Sequence, residues 1–371
     1  VSAPRIVVVG LGDTGVLTAI ALRRRGSVVG IHAKPEFVSG QELGLRLARP
    51  EAWTRDYRIA YDRFRGLDHA RLVHGSATAL TENRTVRVTC TDGTVAEEPY
   101  DVVVVATGVT NGFWRHPTLQ DSGAVDADLA SPHERIAAAG SVMIIGGGAA
   151  ALSSAAQVAE RWPGTTVDVY FPGDRALPHH HERVWHRVRS RLEALGVGLH
   201  PGYRAELPPG DDARDLTSGP VTWSTGQPPV VADAVIWAIG RVIPNTAWLP
   251  GDMLDAGGFV NVDPTLRVVG YDDVFAVGDV AATDPLRTSA RNRGHALVGR
   301  NIRAYLEGAP LREYRPPRRR WGSVLGPQRD GLIVFGPTGQ GIRVPALASD
   351  VVLQRLITRQ GIYGGVRRRT R

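Results

Sequence analysis

The chain has 371 residues, enough at about 150 residues per domain for two or three separate cores. A composition of 43% hydrophobic, 22% charged and 6% aromatic residues is that of a globular protein and excludes a disordered or fibrous one, and no apolar run reaches the roughly eighteen residues of a membrane span. The net charge of +7 is local, because residues 312–371 hold 13 arginines against 3 acids while the rest of the chain is slightly acidic. No stacking aromatics or recognition-helix pattern accompany those arginines, so nucleic acid is not an expected partner. The RRR runs at 318–320 and 367–369 would suit an anionic membrane surface or an acidic redox protein, or are simply solvated. A single cysteine, Cys90, excludes an internal disulfide, a cysteine zinc site and a CxxC pair; it follows Val86 and Val88 on one strand face and reads as a small apolar residue. The first strand signal opens without a basic, apolar leader, from which a cytoplasmic protein is expected.

Residues 5–9 (RIVVV) predict a buried parallel strand, followed by GLGDTG, a helix through Leu17, Ile20 and Leu22, and a second strand at 27–31. Gly10, Gly12 and Gly15 stand in GxGxxG register, a device that turns the chain tightly, lets backbone approach a pyrophosphate and packs the helix on the strand. A helix is predicted over 51–65 and a β-meander over 71–98, then DVVVVATG at 101–108. The pattern then repeats: a strand at 142–145, GGGAAA with Gly146, Gly148 and Ala151, a helix to about Arg161, a strand at 166–171, a helix at 182–195, strands near 197–206 and 219–225, and DAVIWAIG at 233–240. Gly10 to Ala106 spans 96 residues and Gly146 to Ala238 spans 92, so the chain holds two similar dinucleotide folds. A strand-and-turn stretch ending at Gly278 and Asp279, a helix at about 286–307, a linker at 315–320 and a third region at 321–365 complete it.

Two such units, an ATG turn, an AIGR turn and a terminal GD resemble the flavoprotein disulfide reductase superfamily with two dinucleotide-binding domains. The absent redox cysteines, Lys34 and Phe37 in a K-x-x-F segment, and GPQRDG and RQGIY near the end are most similar to the branch of type II NADH dehydrogenases, apoptosis-inducing-factor-like proteins and ferroptosis-suppressor-type quinone reductases. The resemblance implies an α/β fold: two nested Rossmann-like domains, for FAD at 1–115 and 243–311 and for NAD(P) at 116–242, and a small C-terminal α+β domain at 312–371 that is a dimer interface in some relatives. It implies FAD on Gly10, Gly12, Asp13, Thr14 and Gly15, with Thr107, Gly108, Gly278 and Asp279 around it, Asp279 serving the ribityl chain. It further implies NADH or NADPH on Gly146, Gly148, Ala151 and Gly240.

Several positions depart from that pattern. His32 stands where an acid would hold the adenosine ribose, and Asp13 puts an anion inside the phosphate turn, where it is either repulsive or a favourable first-turn residue. Phe171 replaces the acid that would favour NADH; Arg175 either pairs with a 2′-phosphate or is a turn arginine, and Ser153 stands where many relatives carry a glutamate near nicotinamide and flavin. Ser39, Gly40, Gln41 and Glu42 fall where redox cysteines would begin. Gln41 and Glu42 are candidate flavin-side contacts, or a helix start capped by Ser39. His295 is a proton donor to flavin or acceptor, or a packed histidine. The run His179, His180, His181 with His186 lacks the i,i+4 spacing of metal ligands, and no metal is expected. The expected function is an FAD-dependent NAD(P)H oxidoreductase delivering electrons to a quinone-like or other small acceptor. The alternatives are a reductase of a ferredoxin-like carrier and a redox-silent nucleotide-binding scaffold; peripheral membrane attachment and homodimerisation stay open.

Overall fold

A computed structural model of the chain describes residues 3–112, 114–115, 117–208, 213, 215–283, 293–316, 322–349 and 358–368. The valine-rich strand Arg5–Val9 lies at the heart of a seven-stranded sheet, in parallel register with Ser27–His32 on one side and Val102–Val105 on the other. Val274–Ala276 extends the sheet beyond Val102–Val105, Ala70–Leu80 extends it beyond Ser27–His32, and Thr85–Cys90 and Val95–Pro99 finish that side as an antiparallel meander. Both faces are covered, which explains the unbroken apolar runs. Ile6 and Val8 pack beneath helices α1 (Asp13–Ala21) and α7 (Gly294–Leu306), while Val7 and Val9 join Trp248, Val260 and Val268 on the opposite face.

Helices α2 (Leu43–Ala48), α3 (Pro50–Tyr57) and α4 (Ser122–Ala137) pack on one another, and Leu43 and Leu47 of α2 join the core of the second sheet. The second sheet runs Gly198–Pro201, Thr166–Phe171, Ser141–Ile145, Val230–Trp237 in parallel, with Thr217–Val221 antiparallel at its edge. Helices α5 (Ala149–Arg161) and α6 (Glu182–Ala194) cover one face; Tyr170, Trp223 and Trp237 fill the other. The two chain crossings between the sheets run side by side: Val109–Thr110 pairs with Ile243–Pro244, and Thr107 and Asn245 exchange two hydrogen bonds. The described residues of 322–349 and 358–368 straddle both units. Leu325 and Phe335, the latter in the hairpin Leu332–Phe335/Gly341–Val344, join the core of the second sheet, whereas Tyr363 and Val366 join that of the first.

Three local expectations change. The helix predicted at 51–65 is α3 alone: Pro50 starts it, and it ends at Tyr57 because Arg58–Ile59 leaves to pair with Phe37–Val38, after which the chain makes two tight 3₁₀ turns. Helix α4 was not predicted, although Asp121 caps it by accepting from the Ala124 amide at 2.8 Å; Pro132 inside it masked the pattern. The strands expected at 197–206 and 219–225 are shorter, Gly198–Pro201 and Thr217–Val221. Residues 286–292 of the predicted final helix and the RRR run at 318–320 lie outside the described residues.

Candidate functional site

The first glycine turn is closed by backbone contact. Gly10 has φ +94°, and a Cβ there would sit 2.6 Å from the Ala106 carbonyl oxygen; a Cβ on Gly15 would collide with the Gly10 carbonyl oxygen. Gly12, which precedes α1, faces open space, so the helix N-terminus with its free amides is accessible to an anion. Around this turn lies a cavity of about 180 Å³ whose walls include Gly10, Gly12, Asp13, Thr14, His32, Lys34, Thr107, Gly108, Gly278 and Asp279. A second cavity of about 440 Å³, largely apolar and walled by Ile31, Gly75, Ala77 and Trp248, shares Gly10, Ala33, Thr107, Pro117 and Asn245 with the first. The joined groove has the size of a cofactor site, an anion cradle at one part and an apolar slot at another.

The departures from pattern have structural answers. Asp13 accepts from Ser39 Oγ at 2.7 Å, the Gly40 amide at 3.0 Å and Gln41 Nε2 at 3.1 Å, so its charge is spent on fixing the 39–41 loop. His32 is buried, with its ring 4.5 Å from Tyr61 and stacked at 5.2 Å on His74. Its Nδ1 lies 2.6 Å from the Lys34 carbonyl oxygen, an acceptor, so Nδ1 carries the proton and Nε2 keeps a lone pair. Burial pulls the His32 pKa down to about 4 against the effect of that hydrogen bond, leaving the ring neutral at pH 7. A neutral acceptor therefore occupies the position of the expected carboxylate. Lys34 donates to the Thr118 carbonyl at 2.8 Å and to Gln120, and burial lowers it to about 8 although Asp128 opposes the shift.

Four wall residues carry no signal in the glycine motif. Arg115 reaches over Gly40 to Asp279, Nη1 to Oδ2 at 3.1 Å, and places a cation opposite the helix N-terminus. Arg46 is buried, donates to the Trp114 carbonyl at 3.0 Å and lies 5.2 Å from the Trp53 ring centroid; burial lowers its pKa to about 10. Tyr61 donates to the Leu11 carbonyl, and Asn245 binds Thr107. Arg115, seven residues past the ATG glycine, could have been noted as a cation near a phosphate turn; the others arrive through α2, the 3₁₀ turn Tyr61–Arg63 and the crossing strand, whose placement the sequence does not announce.

Gln41 and Glu42 do not line the groove. Gln41 is held by Asp13, its carbonyl accepts from Trp53 Nε1 at 2.9 Å, and Glu42 precedes α2 with left-handed backbone, φ +56°, beside Gly326. Ser39 does not cap α2: its hydroxyl donates to Asp13 and accepts from the Gln41 amide. His295 lies in the first turn of α7, outside the groove wall, its Nδ1 buried without a partner among the described residues; burial and then Arg293 and Arg300 lower its pKa to about 4, which makes a charged proton donor unfavourable.

The second turn repeats the first. Gly146 has φ +137°, and a Cβ there would strike the Ala238 carbonyl oxygen; Gly148 before α5 and Gly240 with φ +74° both face open space, and Ala151 is fully buried. Phe171 points into the core against Trp185. Arg175 donates to the Pro178 and His180 carbonyls of its own turn, at 3.2 and 3.3 Å, and so behaves as a turn arginine. Ser153 is buried under Gly44 of α2, and its hydroxyl donates to the Leu325 carbonyl at 3.3 Å. Among the described residues no three His, Cys, Asp or Glu side chains are grouped to hold a metal, and no helix is long and apolar enough to cross a membrane.

Both cradles pass a test of fit for a dinucleotide: each leaves its middle glycine open at a helix N-terminus, and each is shut where a side chain would enter. Comparison with known proteins agrees. Residues 4–298 match the family described as pyridine nucleotide-disulphide oxidoreductase. Apoptosis-inducing factor homolog B of Dictyostelium discoideum is 23% identical over 359 residues, 90% of each chain. The type II NADH:quinone oxidoreductase Ndh of Mycobacterium tuberculosis is 25% identical over 267 residues, 60% of this chain and 56% of that protein. A solved ferredoxin reductase from Rhodopseudomonas palustris shares the fold, with a TM-score of 0.66, 19% identity and coverage of 90% of this chain and 82% of that one. Matched over most of its length and built on two open glycine cradles, the chain belongs to the pyridine nucleotide-disulphide oxidoreductase family and is an FAD- and NAD(P)H-dependent oxidoreductase.

Proposed function

We propose that this oxidoreductase delivers electrons from NAD(P)H through FAD to a small quinone-like acceptor. The observation that carries the reading is the loop where related enzymes hold redox thiols: here it is Ser39–Glu42, tied to Asp13, and the chain's one thiol, Cys90, lies on the meander strand Thr85–Cys90. When bound, flavin supplies hydride acceptance and onward electron transfer without a protein nucleophile. The residues divide their tasks accordingly. The Gly12 turn and Arg115 would hold the FAD pyrophosphate, His32 Nε2 would accept from a ribose hydroxyl, the apolar slot beside Trp248 would take the adenine, and Asp279 would serve the ribityl chain. Gly148 and Gly240 would hold the nicotinamide cofactor's pyrophosphate. The domain division that follows assigns 1–115 and 243–311 to FAD, 116–242 to NAD(P) and 312–371 to the C-terminal region.

Three of the described C-terminal arginines, Arg343, Arg359 and Arg367, already pair with Asp330, Asp56 and Asp68, which leaves less free positive charge for an acidic protein and favours a small acceptor. The test is anaerobic titration of the yellow protein with NADH and with NADPH, followed by addition of a water-soluble quinone or a ferredoxin at low and high salt. Rapid reoxidation by the quinone at both salts supports the proposal. Reoxidation by the ferredoxin alone, suppressed by salt, would replace it with the carrier reading, and a colourless protein that takes up no FAD would favour the scaffold.

A further inference from the structure

A third cavity, of about 290 Å³, lies between α2–α3 and the C-terminal hairpin and shares no wall residue with the cofactor groove. The two are separated by one helix, since Leu45 faces this cavity and Arg46 the groove. Arg49, Arg55 and Arg329 line it, and the one acid among its described wall residues, Asp56, is already shared by Arg55 Nη2 at 2.8 Å and Arg359 Nη2 at 2.9 Å. Two wall residues each keep a buried polar atom without a partner among the described residues: Arg49 Nε, a donor, and Gln328 Oε1, an acceptor. An unpaired buried donor is costly, and of the two atoms Arg49 Nε is the one an anion could satisfy, since Gln328 Oε1 is itself an acceptor. Leu45, Ala52, Pro327 and Ala346 supply an apolar part of the wall, beside the hydroxyl-bearing Tyr57 and Ser349.

We propose that this cavity binds an amphipathic carboxylate, a small apolar body bearing one carboxylate group. The guanidinium forks match a planar carboxylate, the apolar wall matches the body, and a cavity near 300 Å³ is at the lower end of small-molecule sites. A bare inorganic anion would leave the apolar wall unused. The ligand would bridge the C-terminal hairpin to α2–α3, and Arg49 also joins Glu160 of α5 at 3.1 Å, so all three parts of the chain meet at its edge.

The experiment is calorimetric titration of the protein as purified with benzoate, with its uncharged isostere benzamide and with inorganic phosphate, repeated on Arg329→Ala. Arg329 is exposed and outside both nucleotide cradles, so the variant is expected to keep the parent's flavin content and melting temperature. Saturable binding of benzoate, weakened about tenfold or more by loss of the carboxylate charge or of the Arg329 guanidinium, supports the site. Equal binding of benzamide would overturn it in favour of a purely apolar slot, and phosphate binding as tightly as benzoate would reduce it to a charge trap. No saturable benzoate binding at all would remove it. None of these outcomes depends on which electron acceptor the flavin serves.

Discussion

The two nucleotide units share a turn, a helix and a closing strand, yet they are finished differently. In the first, Asp13 extends from the turn to fasten the 39–41 loop, the residue ending the second strand, His32, faces the groove, and Arg46 of α2 and Arg115 close in from beyond the glycine turn. In the second, the turn carries only alanines, the corresponding residue, Phe171, is turned into the core, and Arg175 bonds its own turn. One cradle is wrapped by side chains from several elements and the other relies on backbone alone. That contrast suits a cofactor that stays and a cofactor that comes and goes.

The contrast is broken most severely at the glycines. Gly15→Ala forces a methyl into the Gly10 carbonyl inside the wrapped unit, and we expect a loss of about 4 kcal/mol or more and little yellow protein, read by melting temperature and the ratio of flavin to protein absorbance. Gly146→Ala makes the equivalent insult in the other unit and should leave flavin bound while raising the KM for NAD(P)H about tenfold or more. If both variants lose flavin alike, the units are not independent. The next effect concerns the join between them. Glu160 is buried and accepts from Arg49 at 3.1 Å, from Arg191 at 3.5 Å and from the Arg329 amide at 3.2 Å. Glu160→Gln should cost about 2–3 kcal/mol, because it removes a buried charged acceptor from the part-buried Arg49 guanidinium and the Arg329 amide, while Arg191 keeps Asp330 at 3.4 Å, and a melt compared with the parent would show it.

His32 predicts a pH dependence. An unfolded histidine takes up a proton near pH 6.5, whereas folded His32 stays neutral down to about 4. The unfolded state binds more protons in that interval, so stability falls as the pH drops from about 6.5 to 4 and levels off below it, by at most about 3 kcal/mol from this residue. His32→Gln should flatten the slope in chemical denaturation at pH 7 and pH 5; an unchanged slope would show that His32 does not stay neutral. The smallest effect is expected from Arg175→Ala. Its guanidinium is engaged by its own turn, so the NADPH to NADH preference should move less than about twofold, a shift within the range of an exposed surface interaction.

The repeated strand, glycine turn, helix and closing turn were legible because each is enforced by local backbone geometry: Gly10 and Gly146 are glycines since nothing else fits. The groove's cations were not. Arg46 and Arg115 act through a helix of six residues and a loop that carry no periodicity, and the meeting of Arg115 with Asp279 spans 164 positions in the chain. Ser153 was read by motif position as a cofactor contact, but α2 lies over it because Gly44 permits close approach, a packing fact that only the assembled helices reveal. Arg175 was ambiguous for a related reason: its two readings differ only in where a flexible side chain finds carbonyl groups.

Lys34 is the one lysine among the 371 residues, and it is folded into the cofactor groove with its amine lowered to about 8. Apart from a terminal amine, these residues therefore offer no primary amine on their surface. Acylating dyes and other lysine-directed reagents find one side-chain amine among these residues, and a bound cofactor would cover it. The extent to which Lys34 itself accepts an amine-directed label, read on the peptide that carries it, thus becomes a count of empty molecules, available without any colour or turnover.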